Sequence, residues 1–315
     1  MPDEVEFRTK PQIALELIDR ARANGIQVAA WTFDEFYGRD HVFLDGLEQR
    51  DQVFVGEIPA NFHGWLQKPR IVHRGPKRRR PTKHPRVARR RPSSEVRNLL
   101  QYSCVFREQS WQRYRIKDTH KGPEVWEVKW AVFWRKGEHG LPTRRHCLLV
   151  ARNVLTGEVK FFLANRVPGE GDVTLRWLLR VAFGRWSVES CFREAKEELG
   201  MDHYEVRGWR CVHRHFFVTQ LSHLFCARVR QEYDRSASEP TARLTVEQVR
   251  SAMNTWLSAA DLKPAVRDER YQKELENQAY HQRRNAQARK SHTKTRLRKL
   301  QALGIDAHKI KSCLT

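Results

Sequence analysis

Between Lys68 and Arg91 the chain carries twelve Lys or Arg residues, four prolines and no acid. Such a stretch cannot build a core, because every cation would need a countercharge and every proline lacks a backbone donor. It therefore divides the sequence into a part before it and a part after it, and their hydrophobic patterns differ. Two readings of the stretch stay open. It is a solvated charged linker, or an arm lying on a phosphate backbone through Arg78, Arg79, Arg80, Arg89, Arg90 and Arg91. The lack of any offsetting acid favours the arm.

Ahead of it the pattern is α/β. Thr9 as N-cap, Pro11 early in the helix, and Ile13, Leu15, Leu17, Ile18 and Ala21 at burial spacing predict a helix over 9–23, ended by Asn24-Gly25. The apolar run 26–33 reads as a buried parallel strand that stops at Asp34. A helix over 41–50 and a second buried strand over 52–58 complete the alternation.

Behind the arm, 102–166 reads as β throughout. Strands are expected at 102–106, 112–116, 125–133, 145–151 and 159–163, between turns such as Lys121-Gly122-Pro123 and Thr156-Gly157. Trp111, Trp126, Trp130 and Trp134 fit a core or sheet face, with base stacking as the alternative. A helix capped by Asp172 runs to Leu199, followed by an amphipathic helix over 213–233, a linker and a short helix over 246–259. The mostly basic end, 267–311, is expected to be helical and only partly ordered without a partner. The organisation is thus 1–59, 60–166, 167–233 and 234–315.

The 59 Lys and Arg against 37 Asp and Glu leave a formal charge of +22 and a pI near 10.2, which calls for a polyanionic partner. No run approaches the ~18 apolar residues of a spanning helix, so a membrane is the weaker option. Six cysteines without a C-x-x-C pair point to a reducing cytoplasm and away from zinc ribbons and disulfide scaffolds. Cys211, His213 and His215 are close in sequence but spread around a helix, a poor arrangement for a metal.

Two acids stand out. Asp34 closes a buried strand, at the sheet edge where sites form in parallel α/β folds. Glu189 follows Arg185 by four residues and precedes Lys196 by seven, so on one helix the three share a face. A carboxylate flanked by two cations suits a divalent metal beside phosphate oxygens, although ordinary ion-pair ladders use the same spacing. The opposite side, with Leu178, Leu179, Ala182, Trp186 and Leu199, is apolar enough to dock on a core.

These residues resemble a family. Phe33-Asp34-Glu-Phe-Tyr37-Gly38-Arg39-Asp40 resembles the second-acid motif of DDE (Asp-Asp-Glu) insertion-sequence transposases, and Arg185, Glu189 and Lys196 match the R-x3-E-x6-K part of their Y-x2-R-x3-E-x6-K signature. The segments 199–207 and 281–304 also resemble the family. The resemblance implies an RNase H-like catalytic core interrupted by an all-β insertion, with a basic helical C-terminal tail. It implies Asp34 and Glu189 as catalytic carboxylates and metal ligands for Mg²⁺, with Mn²⁺ as substitute, in a two-ion site once the family's first Asp is supplied. Arg185 and Lys196 would hold backbone phosphates. DNA, as transposon ends and target, is the implied partner, beside a homodimer or a heterodimer with a full-length transposase, in the cytoplasm at the nucleoid and not at a membrane.

Two positions depart from the family pattern. Ala182 stands where the signature has tyrosine, and no strand-borne Asp precedes Asp34, so the core is expected to be incomplete, its first strands missing. Two functions follow: an impaired metal-dependent enzyme of DNA cleavage and transfer, or a non-catalytic, truncated relative that binds DNA or inhibits the full-length enzyme. An RNA-binding role explains the charge but not Asp34 and Glu189.

Overall fold

The computed structural model describes residues 6–72, 85–88, 91–236, 244–310 and 312–313. The chain divides into two compact units, one of Glu6–Arg185 with the segment from Thr293 onward, the other of Trp186–His292.

In the first unit, Thr9 and Gln12 form a reciprocal capping box that starts α1 (Lys10–Ala23), and Gly25 at φ 76° turns the chain after it. α2 (Glu35–Gly38) and α3 (His41–Gln49) follow, then β1 (Val55–Ile58) and β2 (His63–Trp65). The short pair β3 (Ile71–Val72) and β4 (Arg86–Val87) is antiparallel. β5 (Ser94–Glu95), α4 (Val96–Tyr102) and α5 (Cys104–Glu108) lead into β6 (Gln112–Thr119), β7 (Gly122–Lys136), β8 (Pro142–Asn153) and β9 (Val159–Ala164), then α6 (Leu175–Gly184).

The main sheet has the order β1-β9-β8-β7-β2-β5, with β6 also paired to β7, and each of these pairings is antiparallel. Its centre is buried on both faces. Leu148 and Val150 of β8 join α1, α3, α4 and α5 in one core, while Cys147, Leu149 and Ala151 face the other core with Leu178, Leu179 and Ala182 of α6. That double burial is why β8 reads as a continuous apolar run rather than an alternating one.

The architecture is mixed α/β, as expected, but three expectations fail in detail. Residues 26–33 are not a buried strand: only Trp31 bridges to Phe54, in parallel, and Ile26 and Val28 are exposed. β1 supplies backbone partners from Trp31 onward, through Val55 N–H to Trp31 O and Glu57 N–H to Phe33 O, whereas 26–30 have no strand beside them among the described residues. The segment 102–106 is helical, because Ser103 caps α5 by accepting from Phe106 N–H and buries Phe106 completely. The helix expected from Asp172 starts instead at the N-cap Thr174, and it stops at Gly184 rather than running to Leu199. The basic tail is helical to Ala302, as expected, and beyond it Ile305 and Ala307 pack with Leu300 and Val125, while Cys313 N–H donates to Arg115 O.

The second unit is helical. α7 (Trp186–Leu199), α8 (Trp209–Ser236) and α9 (Val246–Ala259) each pack on the other two around Leu199, Cys226, Val246, Val249 and Met253. α10 (Pro264–Ala302) adds Glu274, which accepts from Ser251 Oγ at 2.7 Å. No described helix is long and apolar enough to cross a membrane.

Candidate functional site

Asp34 sits where the parallel segment ends. Its Oδ1 accepts from Phe36 N–H at 3.1 Å and Tyr37 N–H at 3.4 Å, so it is the N-cap of α2. Two glycines let this corner press onto β1. A Cβ on Gly38 would stand 1.9 Å from Glu57 O, and one on Gly56 would stand 1.9 Å from the Phe33 ring. Phe33 is buried against Phe43 and Phe54, which anchors the residue just before Asp34. Asp40 repeats the capping role for α3, accepting from Phe43 N–H at 2.7 Å.

Arg185 and Glu189 do not share a helix. Arg185 is the C-cap of α6 and closes the first unit, while Glu189 and Lys196 lie exposed on α7 in the second. The apolar side expected to run along one helix splits accordingly. Leu178, Leu179 and Ala182 belong to the sheet core, Leu199 packs with α8 and α9, and Trp186 is half exposed. Ala182, the position of the signature tyrosine, is buried and cannot present a polar group to a ligand.

Of the expected arm residues, Arg78, Arg79, Arg80, Arg89 and Arg90 lie outside the described residues. Arg91 is described and serves the fold: its carbonyl accepts from Trp65 Nε1 at 3.0 Å and its Nη1 donates to Gln67 Oε1 at 2.7 Å. Trp126 is core, and Trp111 carries Lys129 and Arg152 over its ring at 4.8 and 4.4 Å, so these tryptophans serve the sheet. His215 Nε2 lies 3.0 Å from Gly200 O, tying α8 to the turn after α7.

Two charged groups escaped the sequence reading. Glu57, on β1 beside the Asp34 corner, pairs with Lys160 at 2.8 Å. Deeper in, Glu48 accepts from His146 Nε2 at 2.6 Å and faces Arg144 at 3.0 Å and Arg135 at 3.5 Å, while Arg135 also bonds Asp45. Burial alone would push the Glu48 carboxyl up. The His146 bond and the two guanidiniums outweigh it and hold the group below the usual carboxylate range. The signal for Glu48 was present: it follows Leu44 by four residues and Leu47 by one, on the buried side of α3.

Residues 1–123 match the family model described as DDE superfamily endonuclease. That segment, which includes Asp34, is thus similar to DDE superfamily endonucleases. No curated protein matches the chain.

Proposed function

We propose that this chain is a transposase-type DNA-cleaving and strand-transferring enzyme, with Asp34 and Glu189 as its catalytic carboxylates and Arg185 and Lys196 as its phosphate-binding cations. The observation that supports it most is the endonuclease match over residues 1–123, in which Asp34 holds the end of the segment parallel to β1. The Arg185 guanidinium and the Lys196 ammonium would each hold a phosphate oxygen through charge-assisted hydrogen bonds. The basic tail, with Arg283, Arg284, Arg289, Lys290, Lys294, Arg296, Arg298 and Lys299, adds sequence-independent affinity for the backbone.

Endonucleases of this superfamily generally use divalent metals, and Mg²⁺ with Mn²⁺ as substitute belongs to the proposal. The side chains do not yet make a ligand set for it. Among the described residues no group of three or more His, Cys, Asp or Glu is placed to hold a metal ion, and Asp34 Oδ1 is committed to capping α2. This favours a second reading, a protein that binds DNA through its basic surface and does not cut it.

Nicking of supercoiled DNA with Mg²⁺ or Mn²⁺ separates the two. The enzyme reading expects nicking that Asp34→Asn and Glu189→Gln abolish, and equal nicking by all three proteins would remove these residues from the reaction. The second reading expects no nicking. Instead DNA affinity falls steeply with salt, needs no metal and is untouched by Asp34→Asn.

A further inference from the structure

In the second unit a nucleophile, a base and a carboxylate stand in line, on a face of α7 that the proposed reaction does not use. Cys191 follows Glu189 by two residues, about 200° round the helix. Its Sγ lies 3.9 Å from Nδ1 of His223 on α8. His223 Nε2 lies 3.5 Å from Glu194 Oε2, an ion-pair distance without a hydrogen bond, and Glu194 Oε1 faces Arg230 at 3.8 Å. Cys191 is exposed, whereas the side chain of His223 is only 17 % exposed, so the base is held in place and the thiol can be reached.

The two nitrogens of an imidazole point away from each other. With Cys191 on one and Glu194 on the other, the three cannot close around a single ion, and the geometry is that of a proton relay. A thiol within reach of a base, whose other nitrogen faces a carboxylate, is an arrangement that activates a cysteine nucleophile. Cys104 and Cys211 are exposed too, but among the described residues neither has a histidine within hydrogen-bond reach.

We propose that Cys191, His223 and Glu194 form a thiol–imidazole–carboxylate relay that makes Cys191 a covalent modification site for small disulfides. His223 Nδ1 takes the thiol proton as Sγ attacks one sulfur of the disulfide. The new Cys191 S–S bond forms while the reagent's own S–S bond breaks, and the departing thiolate takes the proton back from the imidazolium. The disulfide is the oxidant, one thiol is released, and nothing else is consumed. Glu194 steadies the imidazolium while it carries the charge.

The test is exposure of the full chain, freed of reductant, to oxidised glutathione at neutral pH, with mass spectrometry of each cysteine peptide over time. Cys191 is expected to acquire glutathione about tenfold or more faster than Cys104 and Cys211. His223→Gln brings it down to their rate, and Glu194→Gln lowers it part of the way. Buried Cys226, on α8 itself, reports whether each variant is folded by staying unmodified. Reaction of wild-type Cys191 no faster than Cys104 and Cys211 would overturn the proposal. So would an unchanged rate in His223→Gln with Cys226 protected. Should that variant expose Cys226, an unchanged rate in Glu194→Gln decides against the relay instead.

Discussion

Replacing Glu48 with glutamine removes one charge and no volume from the interior of the first unit. Arg135 is fully buried, and its Nε and Nη1 have no hydrogen-bond partner among the described residues, so its charge depends on Asp45 and Glu48. Asp45 is 39 % exposed at its side chain and is partly screened by water, whereas Glu48 is 7 % exposed. Arg144 is half exposed, and its pairing with Glu48 adds little. Breaking one partner out of a buried ionic group costs about 3–5 kcal/mol, and because Asp45 remains, the lower end, about 3 kcal/mol, is expected. With a urea dependence of about 2 kcal/mol per molar, the transition carrying the β-sheet signal should move down by about 1.5 M. A second variant checks the cause. Replacing Glu48, Arg135 and His146 together by leucine, methionine and phenylalanine should recover most of the loss, since no buried charge is then left without a partner. A shift in Glu48→Gln below about 0.5 M, corresponding to about 1 kcal/mol, would refute the reasoning.

The same region sets a pH dependence. His41 has its pKa lowered from the ordinary 6.5, first by burial and then by Arg135, so its contribution to stability is present above 6.5 and is lost as pH falls. Thermal melts should therefore soften on acidification below about 6.5, and His41→Gln should flatten that limb. Glu48 acts lower: its depressed pKa gives stability that is present above the ordinary 4.5 and lost as pH falls further, so Glu48→Gln flattens the more acidic limb instead. At the Asp34 corner, Gly38→Ala places a methyl group 1.9 Å from the Glu57 carbonyl oxygen, part of the backbone of β1. The clash should cost about 1–3 kcal/mol in a denaturant titration, and a stability within 0.5 kcal/mol of wild type would show that α2 can lift away from β1 at little cost.

What could be read from the sequence, and what could not, follows the range of the interactions. α1 and α9 are set by neighbours in sequence, a Thr N-cap with a Gln three residues on in each, and both fall close to their expected bounds. β6 to β9 follow from turn residues, with Gly122 at φ 100° and Gly157 at φ 74° where the turns were expected. Residues 26–33 fail because a strand is made by its neighbour: apolar content is local, but the backbone partner is not. Glu189 and Lys196 share α7, as a seven-residue spacing implies, whereas Arg185 lies at the C-cap of α6, one residue before α7 begins. Asp34 was found by its place after an apolar run, yet the same aspartate also follows the rule for an N-cap, and it does both at once. Cys191, His223 and Glu194 share no local sign, because the spacing of cysteines to one another says nothing of a histidine on another helix. The base that would activate Cys191 is thirty-two residues away on another helix, a separation that no motif encodes and only packing brings within 3.9 Å.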